Sequence, residues 1–365
     1  MSIARRMSSR RTAVKLGSGG LIAVAALPGA TGPILASQAT PDASPVASPV
    51  TSLLGTPGEL VVYSGRNEEL IGPVIAMAEE TADFAMEVRY GQTAELAIAL
   101  LEEGEGTPAS LYIAQDAGAL GQLANEDRLA PLPQEILDRV DPRFRSPDGV
   151  WVGISGRARV LVYNTDTLAE GDLPESLLDL TDERWAGQMG WAPENGSFQS
   201  HVTAMRQLLG EEETRAWLEA MIANEPVVFE GNSPIVRAVA AGEISVGLVN
   251  HYYKWEIQKE EGTELPVENY YFPGGDVGSL VNVAGVAILK DSPNQEAALA
   301  MVDYLTQREA QAYFAEATSE YPLIEGVEPM EELVPLDEIE SPDIDLSDLA
   351  DLEGTLELLT EVGAL

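Results

Sequence analysis

Short apolar runs alternate with amphipathic stretches in the first third of the chain. The runs end in small or polar residues, as strands of α/β proteins do, and the stretches between them have the spacing of helices. The predicted elements are strands at 59–65, 86–90 and 110–114, and helices at 66–80, 93–102 and 117–123. This alternation predicts a parallel α/β sheet whose ligands bind beyond the carboxyl ends of its strands.

An unusually long apolar segment, residues 151–164, comes next. Its glycines, Gly153 and Gly156, suggest a bend, and a strand that crosses between two lobes would have this pattern. Residues 280–289 have the pattern of a strand that returns to the first lobe. Because 365 residues exceed one ordinary hydrophobic core, two lobes are expected. The remaining predicted elements are a strand at 227–229 and helices at 211–223, 234–241, 292–306, 308–317 and 352–362.

Two adjacent tyrosines, Tyr252 and Tyr253, follow a predicted buried strand at 247–249 that Asn250 closes. On a regular strand their side chains would point to opposite faces. If both phenols serve one site, the pair must therefore lie in a turn or at the start of a helix. Two phenolates at the carboxyl end of an α/β strand would suit a hard, highly charged cation. The alternative is that the two rings only cover a domain edge.

A second candidate site is the turn at 194–199, which leads into a predicted helix that ends near Leu209. Backbone N–H groups at the start of that helix would form an anion site. A plain helix cap without a ligand explains the same residues, so both interpretations stay open.

Residues 1–36 have the features of an export signal. They contain five basic residues and no acidic residue, and an apolar run rich in Gly and Ala extends from 16 to 36. The stretch 9–15 resembles a twin-arginine signal, with an ordinary secretion signal or an uncleaved membrane anchor as the alternatives. Residues 37–58 repeat Ala-Ser-Pro-Val units and are predicted to be a linker, either a tether or a disordered N-terminus.

The charge of the chain excludes non-specific nucleic-acid binding. The net charge is −39, and it becomes −44 without the five basic residues of 1–36. Binding to nucleic acid of that kind needs a basic surface, which such a chain lacks. The chain has no cysteine, so it has neither disulfides nor thiolate metal sites, which fits an exported protein.

The motifs of the common enzyme classes are missing from the sequence. It has no Gly-x-x-x-x-Gly-Lys phosphate loop and no Gly-x-Ser-x-Gly nucleophile elbow. Its two histidines, His201 and His251, are too few for a histidine-rich zinc site. Ser155 has no histidine nearby in the sequence to act as its base. We therefore predict a binding protein without catalysis.

Seven stretches occur in an order and at a spacing that are typical of one family. They are 62–66 (VYSGR), 107–109 (TPA), 153–160 (GISGRARV), 231–233 (GNS), 250–253 (NHYY), 285–289 (GVAIL) and 320–323 (EYPL). From about residue 58 to its C-terminus, the chain thereby resembles the ferric-ion-binding proteins, the solute-binding components of iron ABC transporters. The resemblance implies a two-lobe α/β periplasmic-binding-protein fold, or Venus flytrap, with crossover hinge strands and iron in the cleft.

The resemblance also implies the residues of the site. The adjacent tyrosines of the family are iron ligands, and they correspond to Tyr252 and Tyr253. The family holds a synergistic anion, carbonate or phosphate, beside the metal. The positions that would bind this anion are Asn195, Gly196, Asn232 and Asn250.

The first lobe departs from the family pattern. Where many members have a histidine after the first strand, this chain has Asn67, and Glu68 stands where others have a tyrosine. Gln115 replaces the glutamate after the third strand. Tyr90 and Asp116 lie close enough along the chain to substitute. We therefore keep all five residues as candidate metal ligands.

These observations predict an exported protein, periplasmic or attached to the cell surface, that captures ferric iron and delivers it to an ABC permease as a monomer. The first lobe is predicted to comprise 59–156 and 283–333, and the second 157–282 and 334–365. The alternative is the same fold with another small ligand, such as an anion, a polyamine or a cofactor.

Overall fold

The computed structural model describes residues 60–82 and 86–365, and the predicted export signal and linker lie outside this part of the chain. The predicted α/β fold is confirmed. The strands are β1 (Leu60–Ser64), β2 (Met86–Tyr90), β3 (Leu111–Ala114), β4 (Val152–Asn164), β5 (Met189–Trp191), β6 (Val227–Val228), β7 (Val246–Asn250), β8 (Val267–Tyr270) and β9 (Val281–Ile288).

The helices cover the predicted amphipathic stretches and add two more, a short one after the third and one that begins at Tyr253. They are α1 (Glu68–Ala82), α2 (Thr93–Glu103), α3 (Ala117–Asn125), α4 (Gln134–Leu137), α5 (Gly196–Leu209), α6 (Glu211–Ala223), α7 (Asn232–Ala240), α8 (Tyr253–Glu261), α9 (Gln295–Leu305), α10 (Arg308–Ala317) and α11 (Leu352–Val362). Within residues 60–82 and 86–365, no helix has both the length and the apolar character needed to cross a membrane.

The strands form two sheets that share β4. The first sheet has the order β2-β1-β3-β9-β4, with β1 parallel to β2 and β3 and with β9 antiparallel to β3 and β4. The second continues as β4-β7-β5-β6, and β8 also pairs with β4. The first half of β4, up to Ala158, pairs with β9, and from Arg159 onward it pairs with β7. This long strand therefore crosses between the two sheets, as its pattern predicts.

Every residue of β4 is buried, because both of its faces are covered. In the second sheet its side chains alternate between two cores. Leu161 packs with Trp191 and Phe198 on one face, whereas Val160 and Val162 pack with α7 on the other. The expected irregularity near its glycines is a register shift between Gly153 and Ser155.

The C-terminal segment contacts elements of both sheets. A 3-10 turn at Leu346–Ala350 packs on α3, and its leucines join the core of the first sheet. Helix α11 packs on α5 and α6, and Leu358 and Leu359 join a core of the second sheet. The segment thus runs from one sheet's helices to the other's, while the lobe boundaries proposed from the sequence stay a prediction.

Gly247 gives a test of the packing that positions the end of β7. A Cβ atom at this residue would overlap Cγ2 of Ile235, a fully buried, branched side chain of α7. We expect Gly247→Ala to lower the free energy of unfolding by about 1–3 kcal/mol, since the core must shift to accept the methyl group. The measurement is the midpoint and slope of urea unfolding. Gly106→Ala is the matched control, because a Cβ there meets no atom within 4 Å; equal midpoints for the two variants would contradict the packing argument.

Candidate functional site

A cavity of ≈ 790 Å³ opens beside the carboxyl ends of β1, β3 and β7 and the start of α5. This is the edge at which α/β sheets bind ligands. Ten of the eleven residues singled out from the sequence line it, namely Asn67, Glu68, Tyr90, Gln115, Asp116, Asn195, Gly196, Asn250, Tyr252 and Tyr253. The eleventh, Asn232, lies behind the wall and is hydrogen-bonded to Asn195.

The tyrosine pair lies between a strand and a helix. Strand β7 ends at Asn250, Tyr252 caps α8, and Tyr253 is the first residue of that helix. The chain therefore leaves the strand before the pair, as two phenols in one site require. Their ring centroids are 4.5 Å apart, with the planes tilted by 32°. Tyr252 is only 2% exposed, and Tyr253 is half-buried.

Burial keeps both phenols in the neutral form. It raises the pKa of Tyr252 above its usual value, although the charge of Arg157 acts in the opposite direction. It raises the pKa of Tyr253 well above the usual value, and the neighbouring Tyr252 raises it further. Ionisation of both rings at neutral pH therefore requires an additional strong positive charge in the cleft.

His251 anchors the loop that carries the tyrosines. Its Nδ1 accepts a hydrogen bond from the backbone N–H of Ala158 at 3.2 Å, and its Nε2 lies 2.9 Å from the carbonyl oxygen of Ser319. Burial lowers the pKa of His251 to about 4, so the ring is neutral at physiological pH. Nε2 is then the donor to Ser319. His251 thus fixes the tyrosine loop to the crossing point of β4.

The amides predicted to bind an anion form a connected chain. Asn195 caps α5, since its Oδ1 accepts from the N–H of Ser197 at 3.1 Å. The same Oδ1 accepts from Nδ2 of Asn232 at 3.2 Å, and Oδ1 of Asn232 accepts from the N–H of Asn250 at 3.2 Å. The helix cap is thus confirmed. The first turn of α5 also lines the cavity, and the anion site there stays a prediction.

Arg159 holds two of these amides. Its Nη1 donates to Oδ1 of Asn250 at 3.1 Å and to Oδ1 of Asn232 at 3.4 Å. Burial lowers the pKa of Arg159 to about 10, which still leaves it charged at neutral pH. The Oδ1 atoms of Asn232 and Asn250 therefore point toward the buried guanidinium of Arg159. The N–H₂ group of Asn232 already donates to Asn195, so the N–H₂ group of Asn250 is the one available to other partners.

A buried ion pair links the turn after β1 to Glu320 and to Ser155 of β4. Arg66, the residue after the β1 turn, pairs with Glu320 at 2.6 Å and donates to Oγ of Ser155 at 3.1 Å. Burial opposes both charges, but their mutual attraction outweighs it, so the pKa of Arg66 is raised and that of Glu320 is lowered. Residues from three distant parts of the chain therefore meet at one charged contact.

The candidate ligands of the first sheet differ in whether their side-chain oxygens already accept hydrogen bonds. Asn67 and Asp116 are engaged as helix caps, for Oδ1 of Asn67 accepts from Leu70 and Oδ1 of Asp116 accepts from Gly118 and Ala119. Gln115 has a buried Oε1 without a hydrogen-bond partner in the described part of the chain. Glu68 lies in the first turn of α1, exposed to solvent. Gln115 and Glu68 are thus the freer oxygen donors.

Tyr90 lies at the same edge, at the end of β2. Burial raises the pKa of its phenol, and the charge of Glu68 raises it further. Among residues 60–82 and 86–365, no three His, Cys, Asp or Glu side chains cluster as a metal site. The cavity lining therefore offers phenol and amide oxygens together with single carboxylates such as Glu68 and Asp116.

Three arginines and Glu320 are important residues that sequence reasoning did not single out. Arg157 lines the cavity between the two sheets, and Arg66 and Arg159 lie buried behind it. The available signal was a charged pair, Arg157 and Arg159, inside an otherwise apolar strand. Charges on a strand buried on both faces need partners, so their presence indicated a polar site at the crossing.

Comparison with known proteins agrees with this geometry. Residues 107–338 match the family described as bacterial extracellular solute-binding proteins. The Fe(3+)-binding periplasmic protein of Serratia marcescens is 32% identical over 308 residues, which are 84% of this chain and 90% of that protein. The crystal structure of iron-bound HitA from Pseudomonas aeruginosa superposes with a TM-score of 0.79 at 33% identity, covering 84% of this chain and 100% of that one.

A Trichodesmium protein solved with iron and citrate superposes with a TM-score of 0.73 at 26% identity, covering 84% of this chain and 99% of that chain. The family match spans more than half of the sequence, and the relatives align over nearly their whole length. The chain therefore belongs to the bacterial extracellular solute-binding proteins, and within them to the ferric-ion-binding group that its sequence resembles.

Proposed function

We propose that the protein captures ferric iron in this cleft through the phenolate oxygens of Tyr252 and Tyr253. The observation that carries the proposal is the pair itself. The two phenol rings lie with their centroids 4.5 Å apart, just after the end of β7, and both line a cavity to which both sheets contribute residues. Fe(III) is a hard cation that favours oxygen ligands, and its charge supplies what the buried phenols need to ionise. The family relatives that bind ferric iron support this assignment.

Amides and a synergistic anion complete the proposed shell. The anion, carbonate or phosphate, would lie between the iron and the start of α5, with Asn195, Gly196 and the N–H₂ group of Asn250 beside it. Asn232 supports it by holding Asn195. From the first sheet, Gln115 and Glu68 are the best-placed oxygens, with Tyr90, Asp116 and Asn67 as further donors.

Binding without catalysis is the role that this site suits. The protein would act outside the cytoplasm, in the periplasm or at the cell surface, as a monomer that passes iron to an ABC permease. The relatives named as periplasmic iron-binding proteins support that location. Closure over the iron would be a hinge motion about β4 and β9, the strands that join the two sheets.

Removing both phenol oxygens tests the proposed ligands. We expect Tyr252→Phe with Tyr253→Phe to abolish the visible phenolate-to-iron absorbance and to raise the Kd for Fe(III) more than about 100-fold, since losing even a residue that only supports a ligand costs about 10–100-fold. The measurement is a titration with Fe(III) delivered from a weak chelator. Tyr304→Phe is the control, because Tyr304 lies in α9, outside the residues that line the cavity. Unchanged binding in the double variant would exclude the pair as ligands.

The pH dependence of binding follows from the raised pKa values of the two phenols. Both are protonated at neutral pH, so each must release a proton when it binds iron. Affinity should therefore fall as the pH falls, by about tenfold per pH unit for each phenol and about 100-fold for the pair. Titrations at pH 8, 7 and 6 measure this slope, corrected for protonation of the chelator. Tyr253→Phe should halve the slope, and a Kd that does not change with pH would contradict phenolate ligation.

A second candidate function is the binding of another small ligand in the same fold. It is favoured by one observation, the absence from the described residues of a histidine or carboxylate cluster that would complete an iron shell. Trp255, whose half-buried ring lies in α8 two residues after Tyr253, gives a fluorescence signal for testing it. Quenching by Fe(III) alone supports iron, whereas a response only to an organic anion or polyamine favours the alternative.

A further inference from the structure

The C-terminal segment passes along the wall of the cavity on its way from one sheet's helices to the other's. Residues 346–356, which we call the strap, comprise the 3-10 turn and the first half of α11. Side chains of α3 and α5 lie beside the strap in the same wall. The strap residues that line the cavity are Leu349, Ala350, Leu352 and Leu356. A second connection between the sheets therefore lies at the cavity, in addition to the buried strand β4.

The first anchor of the strap is its contact with α3. A Cβ atom at Gly118 would overlap the carbonyl oxygen of Leu349. One at Gly121 would overlap the carbonyl oxygen of Ser347. The backbone of the strap therefore approaches α3 more closely than a side chain at either glycine would allow. Leu346 and Leu349 are buried in the core of the first sheet, and this packing holds the turn on α3.

The second anchor is a set of hydrogen bonds to α5. Arg206 donates to the carboxylate of Asp351 at 2.9 Å and to the backbone carbonyl of the same residue at 3.0 Å. Arg206 also donates to Oγ1 of Thr355 at 3.0 Å. That hydroxyl lies 2.8 Å from Oγ1 of Thr203, and both threonines are fully buried. These contacts hold the strap on α5, whose side chains pack in a core of the second sheet.

The two anchors are close together in the sequence. Asp351 follows Leu349 by two residues, and two fully extended residues span at most about 7 Å. While both anchors hold, the parts of the strap that touch α3 and α5 cannot separate further than this. Asn282 of β9 links the same two helices, since its Oδ1 accepts from the N–H of Ala117 at 3.3 Å and its Nδ2 donates to Ser200 at 2.9 Å. This side of the cavity is therefore held together at two places.

We propose that the strap is a tether that sets how far the cleft opens in the iron-free protein. The hinge motion about β4 and β9 would part the walls of the cavity, and the strap would confine this opening to the rim away from α3 and α5. A narrow range of open forms reduces the conformational entropy that closure over a metal must give up. The tether stands on the contacts of the strap, whereas its effect on iron binding rests on the proposed function.

Lengthening the link while both anchors are kept tests the tether. Insertion of Gly-Ser-Gly-Ser after Ala350 raises the possible span from about 7 Å to about 20 Å. The insertion should disturb folding little, because loop-closure entropy changes slowly with length. The same insertion after Gly171 is the matched control. Gly171 lies in an exposed turn between β4 and β5, both strands of the second sheet, and a Cβ there meets no atom within 4 Å.

The measurement is the distance across the cavity in the iron-free protein. Because the chain has no cysteine, Glu95→Cys with Glu194→Cys places one spin label on each wall. Both residues are exposed, Glu95 in α2 and Glu194 just before α5. We expect the lengthened strap to broaden the distances and to shift their mean outward by about 5 Å or more, since the link gains about 13 Å of reach. The control insertion should leave the wild-type distances.

Unchanged distances in the lengthened strap, or equal broadening in the control insertion, would overturn the tether. If the insertion after Ala350 does not fold, as judged by near-ultraviolet circular dichroism, release of the second anchor decides in its place. Arg206→Gln with Thr355→Val should then shift the distances outward, and unchanged distances in that variant would overturn the tether. Arg215→Gln is the control, because Arg215 of α6 pairs with Glu361 of α11 and does not hold the strap.

A second arm separates the tether from iron capture. With Fe(III) delivered from a weak chelator, the lengthened strap should raise the Kd by about fivefold, since effective concentration falls as about the −3/2 power of link length. Longer distances with an unchanged Kd would keep the tether and refute its effect on binding. Strap-dependent distances in a wild type that binds no Fe(III) would refute iron capture and keep the tether. Fe(III) binding with distances that do not depend on the strap would do the reverse.

Discussion

Burial of positive charge at the point where β4 passes from one sheet to the other is the constraint on which the rest of the structure depends. Charged groups inside a protein need partners, because transfer from water costs more than most contacts return. Arg66 meets this demand with Glu320 and Ser155, whereas Arg159 meets it only through Nη1, which donates to two asparagines. These contacts join the β1 turn, β4, β7 and the segment after α10 around one centre.

The same centre controls the chemistry of the tyrosines. His251 is held between Ala158 on β4 and the carbonyl of Ser319, so the loop that follows β7 is fixed to the crossing strand. The phenols lie in a place where burial favours their neutral form and Arg157 favours the phenolate. Such a balance leaves both phenols uncharged in the free protein, and the proposed ferric ion would shift both toward the phenolate.

The departures of the first lobe take on a physical meaning in this setting. Asn67 and Asp116 act as helix caps, which explains their presence without any ligand. Gln115 differs, because its oxygen is buried and has no partner in the described residues. Among the described residues, the first sheet therefore offers the cleft an uncommitted amide and not a carboxylate cluster.

Local sequence patterns were sufficient for the α/β class, most strand and helix positions, the crossing role of β4 and the placement of the tyrosines beyond a strand. These features follow from periodicity and from the opposite orientation of neighbouring strand side chains, both of which act over a few residues. Strand β8, the pairing of Arg66 with Glu320 and the isolation of Arg157 depended on the tertiary structure. Each arises between residues far apart in the chain, or from the absence of a partner, and only the folded arrangement decides which buried charges find one.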